Sequence, residues 1–397
     1  MTTIDVVGGV YGERCAFPDW DEVYGSAGRA AAGLSGHVNE VRLHTVIPKP
    51  HQARALANFE SFGIHVHTHD GDQLIGFDYL HCLADPAISP PPSAIKQQPA
   101  FEVNADVAVV FGMMECKPIV SAGLCIYDPQ SPNDPKYFNL TGSKAKRLVV
   151  IANEGEIAKL SGKSGYEAAT DVLKSEQAEL LIVKRGLDGA QIYDSTGCLG
   201  SVPAYKTKNV FTIGSGDIFV AAFALSYAIH EKGPLESADY ASMAVAQYVE
   251  TSAMPIQTFA DASSTKRSPI ELAGGQIYIA GPFRELGQRS TVNEARRLLS
   301  KLGMKVFSPV HDIGHGPADK VVKHDLAAIE NADAILAILN GSSPGTLFEV
   351  GYAVAKGKPV FCVGQNMRSN DMKLPMGAGC VVHNDFISTI HLVAWRK

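Results

Sequence analysis

No run of this chain approaches the roughly 18 consecutive apolar residues that a membrane span requires. The first residues also lack the basic start and apolar core of a secretory signal. Met1, Thr2 and Thr3 lead straight into a strand-like Ile4, Asp5, Val6 and Val7, and a cytoplasmic protein is the expectation. A surplus of positive charge is missing as well. The 35 Lys and Arg against 41 Asp and Glu give a formal charge of −6 and a pI near 6.1, which argues against a nucleic-acid polymer as main partner. Cysteine is sparse. The seven are odd in number, scattered and without metal-ligand spacing, as reduced, mostly buried thiols would be. Internal repeats and low-complexity tracts are absent too.

What is present is an ordinary globular balance, 46% hydrophobic and 19% charged, over 397 residues, long enough for two or three domains. The 37 glycines suit a fold rich in strand-to-helix turns. Strand-like runs at residues 4–7, 107–111, 148–151, 180–183, 277–280, 334–339 and 359–363 alternate with helical patterns, which predicts an α/β fold of parallel sheets covered by helices. Residues 86–99 are proline-rich and read as an exposed excursion. Residues 258–275 are small, polar and aperiodic, so they read as a linker between a domain of residues 1–257 and one of residues 276–397. His65, His67 and His69 alternate as on one face of a strand and have no companion carboxylates or thiols, so a zinc site is not expected.

In the first domain, a strand-like entry at Val210 and Phe211 reaches Thr212, Ile213, Gly214, Ser215, Gly216 and Asp217, and an apolar helix pattern follows. Glycines at a helix start let backbone N–H groups converge on an anion, and an Asp directly after them can accept a proton from an attacking hydroxyl. Asn153 to Glu156, Lys184 to Ala190, Gly8 with Gly9 and Glu13, and Gly25 to Ala30 complete the pattern. Residues 3–256 resemble the ribokinase/PfkB family of sugar and nucleoside kinases, which implies a ribokinase-like α/β/α domain using ATP and Mg²⁺. By that resemblance Thr212, Gly214, Ser215 and Gly216 form the anion hole and Asp217 is the base. Asn153 and Glu156 organise Mg²⁺, Lys184 and Gly186 lie by the nucleotide, and Gly9, Glu13 and Arg29 face the acceptor. Three departures stand out: Phe211 where many members carry Asp, Glu13 for Asp, and Arg29 for Asn. The short interval between Glu13 and Gly25 predicts a reduced lid sheet.

In the second domain, three segments place polar groups at the strand ends of a small doubly wound sheet: Tyr278 to Arg284 after a strand, Lys323 to Ile329 on a helix just before the strand at 334–339, and Asn340 to Glu349 after that strand. Phe348, Tyr352 and Ala355 are spaced for the buried face of the helix that carries Glu349. Asp325 and Glu349 form the pair of carboxylates that N-glycoside chemistry needs, one for the anomeric carbon and one for the leaving base. Residues 276–365 resemble the nucleoside 2-deoxyribosyltransferase family. That likeness implies a flavodoxin-like or Rossmann-like domain with Glu349 as nucleophile, Tyr278 positioning it, and Asp325 protonating the base. Gly281, Pro282 and Phe283 would wall the base. Ser343, six positions before the nucleophile, stands where transferases of free nucleosides carry an acid. With Gly345 and Arg284 it suits a phosphate, which a carboxylate would repel, and it points to the branch of nucleoside 5′-monophosphate N-glycosidases.

The resulting expectation is a bifunctional enzyme of nucleoside and nucleotide metabolism. Its second domain, needing no cofactor, cleaves nucleoside 5′-monophosphates, and its first phosphorylates a nucleoside or sugar and supplies that substrate. Two alternatives stay open: a deoxyribosyltransferase with an inert kinase-like domain, and a nucleotide-binding sensor or scaffold without turnover. Both families imply self-association, so a homodimer is expected, with small-molecule partners and no membrane.

Overall fold

A computed structural model describes residues 2–131, 134–314, 316–365 and 367–396. The chain forms two compact units. One comprises Met1–Thr207 with Phe211–Ile270, and the other Lys208–Val210 with Glu271–Lys397. Within residues 258–275, Phe259–Ser264 form a short helix, with the Thr258 side chain accepting from the Asp261 N–H at its start.

The first unit is built on a nine-stranded sheet. In spatial order its strands are Gly197–Val202, Ala190–Asp194, Leu180–Lys184, Lys144–Asn153, Ile119–Asp128, Glu102–Phe111, Thr3–Val7, Glu40–Val46 and His65–His69. The seven from Leu180–Lys184 to His65–His69 run parallel, and the hairpin strands Ala190–Asp194 and Gly197–Val202 are antiparallel. Val149, Ile151, Leu181 and Ile182 are wholly buried, as residues of a sheet covered on both faces must be. His65, His67 and His69 do lie at alternate positions of an edge strand, where the His67 ring stacks on His44.

A second sheet of four strands, in the order Trp20–Val23, Gly12–Phe17, Gly76–His81 and Ala87–Ser89, belongs to the same unit. It is larger than the interval between Glu13 and Gly25 suggests, because half of it comes from residues 76–89. The proline-rich stretch read as an excursion begins with its last strand: Ala87–Ser89 pairs antiparallel with Gly76–His81.

The second unit is a five-stranded, wholly parallel sheet, ordered Lys305–Phe307, Gln276–Ala280, Ala334–Ile338, Val360–Val363 and Val381–His383. By sequence that order is 2-1-3-4-5, the flavodoxin-like winding, which reverses direction between its first and third strands. Those strands, Gln276–Ala280 and Ala334–Ile338, are central neighbours, and ligands of such sheets bind just beyond their carboxyl ends. Tyr278, Ala280, Ile335 and Ala337 form a single buried layer with Ala328 and Ile329 of the helix Ala318–Asn331 and with Val350 and Ala353 of the helix Pro344–Ala355. The residues that dictate this packing therefore place both helices on the Tyr278 face of the sheet.

Candidate active site

In the second unit the chain leaves Ile338 through a tight turn in which Gly341 and Ser342 adopt positive φ of 83° and 48°. Asn340 ties this turn down: its amide donates to Gln365 Oε1 at 3.0 Å, and its Oδ1 accepts from the Gln365 N–H at 2.8 Å. Pro344 then opens the helix at a position where its missing N–H costs nothing. The helix buries Thr346, Val350 and Ala353 against the sheet, whereas Phe348 is 61% exposed. The stripe expected from Phe348, Tyr352 and Ala355 has the right period but the wrong phase, since the small side chains allow closer approach to the strands.

With that phase, Glu349 turns toward Tyr278. The Tyr278 hydroxyl donates to Glu349 Oε1 at 2.8 Å. Tyr278 is fully buried, and its ring stacks on Phe307 of the neighbouring strand at 5.6 Å and 18° between planes, which fixes the hydroxyl's direction. Burial pushes the Glu349 carboxyl up to about 7, with the Tyr278 hydrogen bond pulling it down and the charge of Asp325 raising it further. Burial, and then the charges of Glu349 and Asp325, hold the Tyr278 phenol far above its ordinary value, so it stays a donor.

Asp325 lies on the same helix face as Ala328 and Ile329, three and four residues on. Its Oδ1 is buried without a hydrogen-bond partner, and desolvation raises its pKa despite the nearby His324. A partnerless buried carboxyl oxygen costs stability unless a ligand completes it. A hydrogen bond thus joins Tyr278 to Glu349, and the charge of Asp325 acts on both.

The other expected residues line the same strand ends. Gly281 follows Ala280 in close packing, where a Cβ would lie 3.2 Å from Val292 and 3.3 Å from Ile338. Pro282 is buried, while Phe283 and Arg284 are exposed. Ser343 precedes the first residue of the Pro344–Ala355 helix and its hydroxyl makes no capping bond, and Gly345 is exposed. That leaves a hydroxyl and the first-turn N–H groups at a helix N-terminus.

In the first unit, Gly214 adopts a left-handed φ of 79° and starts the helix Ser215–Ala224. Thr212 anchors the turn by donating to the Cys82 carbonyl at 2.7 Å. Asp217 is 5% exposed, and both its oxygens are engaged: Oδ2 accepts from Arg29 Nη1 at 2.9 Å and Oδ1 from Gln130 Nε2 at 2.8 Å. Glu13 forms a two-pronged pair with the same guanidinium. Gly9 and Gly25 let the chain fold tightly beside it, since a Cβ on Gly25, at φ 61°, would lie 2.5 Å from the Gly9 carbonyl oxygen.

Lys184 ends its strand and donates to Asp128 Oδ2 at 2.5 Å, with its amine close to Gly216, where a Cβ would lie 3.4 Å away. Burial works against the Lys184 charge, but Asp128 and Glu156 outweigh it and raise its pKa. Gly186, at φ 57°, begins the turn that follows. Asn153 and Glu156 lie at the start of a helix that follows the strand Lys144–Asn153. They form a capping box at the start of the helix Glu154–Ser161, each side chain accepting from the other's backbone N–H at 2.9 Å. Among the described residues no group of three or more His, Cys, Asp or Glu side chains could hold a metal ion. Phe211 is buried, its ring 5.0 Å from that of Trp20.

Sequence reasoning missed Gln130, Asp128 and Tyr248. Gln130 has a positive φ of 46°, which no local signal announces, and it bridges Ser26 and Asp217. Tyr248 accepts from Arg29 Nε at 3.0 Å from a helix 219 positions on.

Comparison with known proteins agrees with this division. Residues 122–257 match the pfkB family carbohydrate kinase and residues 277–385 match the nucleoside 2-deoxyribosyltransferase family, in that order along the chain. Among curated relatives, a 5-dehydro-2-deoxygluconokinase of Bacillus licheniformis is 29% identical over 126 residues, covering 30% of this chain and 38% of that protein. One of Bacillus velezensis is 26% identical over 175 residues, covering 43% and 50%. The chain thus spans between about a third and a half of the length of these relatives. Among solved structures, a ribokinase from Thermotoga maritima superposes with a TM-score of 0.51 at 17% identity, over 66% of this chain and 99% of that one. The first unit therefore has the ribokinase-like fold, and the two family matches together support an enzyme.

Proposed function

We propose that the second unit cleaves the N-glycosidic bond of a nucleoside or deoxynucleoside 5′-monophosphate. The observation that carries this reading is the Tyr278 to Glu349 hydrogen bond beside the buried, partnerless oxygen of Asp325. Glu349, ionised, attacks C1′ while the bond from C1′ to the base nitrogen breaks, and that electron pair leaves with the base. Asp325, whose hold on its proton is strengthened by its desolvated site, gives a proton to the base, so the base departs neutral. Water then adds its oxygen to C1′, Asp325 recovers a proton from it, and the glycosyl ester of Glu349 breaks to release the sugar phosphate. Tyr278 holds one oxygen of Glu349 so that the other faces the sugar. Ser343, Gly345 and Arg284 receive the phosphate, and Gly281, Pro282 and Phe283 flank the base.

Phosphoryl transfer by the first unit with ATP and Mg²⁺, the other half of the sequence reading, meets an obstacle in the engaged oxygens of Asp217. The glycosidase reading does not depend on it. The test is to incubate the chain, without ATP, with ribo- and deoxyribonucleoside 5′-monophosphates and their nucleosides, and to measure free base by chromatography. Base released from monophosphates and lost in Glu349→Ala supports the reading. Release from nucleosides alone, rising when a second base is added, replaces it with base exchange, and binding without release replaces it with a sensor.

A further inference from the structure

Arg29 is the largest fully buried side chain among the described residues, 1% exposed, and it sits in the middle of the first unit's site. Its guanidinium has five N–H groups, and four are engaged. Nη1 donates to Glu13 Oε1 at 3.1 Å and to Asp217 Oδ2 at 2.9 Å, Nη2 donates to Glu13 Oε2, and Nε donates to the Tyr248 hydroxyl at 3.0 Å. Tyr248 is itself held by donating to the Ile213 carbonyl at 2.9 Å, and the Tyr24 ring lies 5.6 Å from the guanidinium carbon. Gly214 makes the arrangement possible, because a Cβ there would fall 2.1 Å from Arg29 Nε. The turn that begins the Asp217 helix is thus shaped around the arginine.

Transfer of a phosphoryl group to a hydroxyl requires that the hydroxyl proton pass to a base as the new O–P bond forms and the nucleoside diphosphate leaves. Asp217 is the carboxylate placed for that step. A hydroxyl reaching it at Oδ2 would have to stand where the Arg29 guanidinium stands, and at Oδ1 beside the Gln130 amide. Moving Arg29 off Asp217 would take a charge-assisted bond from a carboxylate that is 5% exposed, and the two-pronged pair with Glu13 holds the guanidinium where it is.

We infer that Arg29 is a resident occupant of the acceptor place: its guanidinium stands against Asp217 where a sugar or nucleoside hydroxyl would have to stand. The first unit therefore neither binds a hydroxyl acceptor at Asp217 nor phosphorylates one, whatever it does with nucleotides.

The full chain is assayed with ATP and Mg²⁺ against ribose, fructose, adenosine and cytidine, reading acceptor-dependent ADP formation and the shift in thermal midpoint that each acceptor causes. Wild type is expected to show neither. A double variant, Arg29→Ala with Glu13→Gln, empties the place without leaving an unpaired carboxylate at position 13, and at least one acceptor is expected to raise its midpoint. Arg29→Lys, which keeps the charge but loses the fork, serves if the double variant fails to fold by circular dichroism, with the same expectation at smaller amplitude. Acceptor-dependent ADP from wild type, lost in Asp217→Asn, overturns the inference. So does a folded variant to which no acceptor binds, because Arg29 would then be filling a structural void rather than an acceptor place.

Discussion

The two units place a carboxylate at comparable points, in a helix that follows a glycine-containing turn, and then treat it in opposite ways. Asp217 has a cation on one oxygen and an amide on the other. Glu349 has one hydrogen bond, from a neutral phenol, and a second carboxyl nearby with a bare buried oxygen. The first carboxylate is satisfied within the chain, and the second pair is left needing something from outside it. Burying a polar atom without a partner costs free energy, and on the proposed reading a ligand offsets that cost at Asp325.

The sharpest way to break this comparison is to remove the poised carboxylate. Glu349→Gln should lower base release at least about 10³-fold, since the covalent step disappears, and chromatography of free base reads it. Asp325→Asn should cost on the order of 10²- to 10³-fold, because the proton donor is lost while the nucleophile stays. A nucleotide whose base leaves readily without protonation should lose far less, which separates proton delivery from general damage.

The pH dependence sharpens the contrast further. Glu349 must be ionised to attack, so with its carboxyl raised to about 7, turnover should fall as pH drops through that value. Tyr278→Phe removes the hydrogen bond that pulls this pKa down. The acid limb should then move to higher pH, with roughly tenfold lower kcat at neutrality. The same shift has a stability counterpart of defined sign. A carboxyl whose folded pKa lies above its unfolded value stabilises the fold while protonated, and that contribution is lost as pH rises from about 4.5 through 7. Glu349→Gln should therefore melt higher than wild type at pH 8, by on the order of 1–2 kcal/mol, and little differently at pH 5. An enzyme that is less stable for its nucleophile is the expected result.

The smallest effect belongs to the phosphate contacts. Arg284→Ala should raise KM for a nucleoside 5′-monophosphate about tenfold, the worth of one exposed charge-assisted bond, and leave the unphosphorylated nucleoside unchanged. Equal effects on both would remove Arg284 from phosphate recognition.

How far the sequence was legible follows from the same physics. The second unit's site is assembled from strand ends and helix starts, and local patterns announce those: Ala334–Ile338 as an apolar run, and residues 340–345 as a turn-forming loop before a helix. Its phase was not legible, because residues 346, 350 and 353 repeat with the same spacing as 348, 352 and 355. Only contact with the sheet decides between the two stripes. The first unit's sheet was read through its apolar strands, yet Glu40–Val46 and Ile119–Asp128 went unread where polar and small residues interrupt the hydrophobic run. The arginine clamp was visible only as an odd residue at position 29. Its meaning rests on contacts with residues 16, 188 and 219 positions away, which no local pattern carries.

The most direct measurement is the intact mass of the wild-type chain, acid-quenched during turnover of a nucleoside 5′-monophosphate, followed by peptide mapping. The account predicts a fraction of the protein heavier by one glycosyl phosphate, with the added mass on the peptide containing Glu349 and none on Glu349→Gln. Base released at full rate by both proteins, with the wild-type mass unchanged, would contradict it.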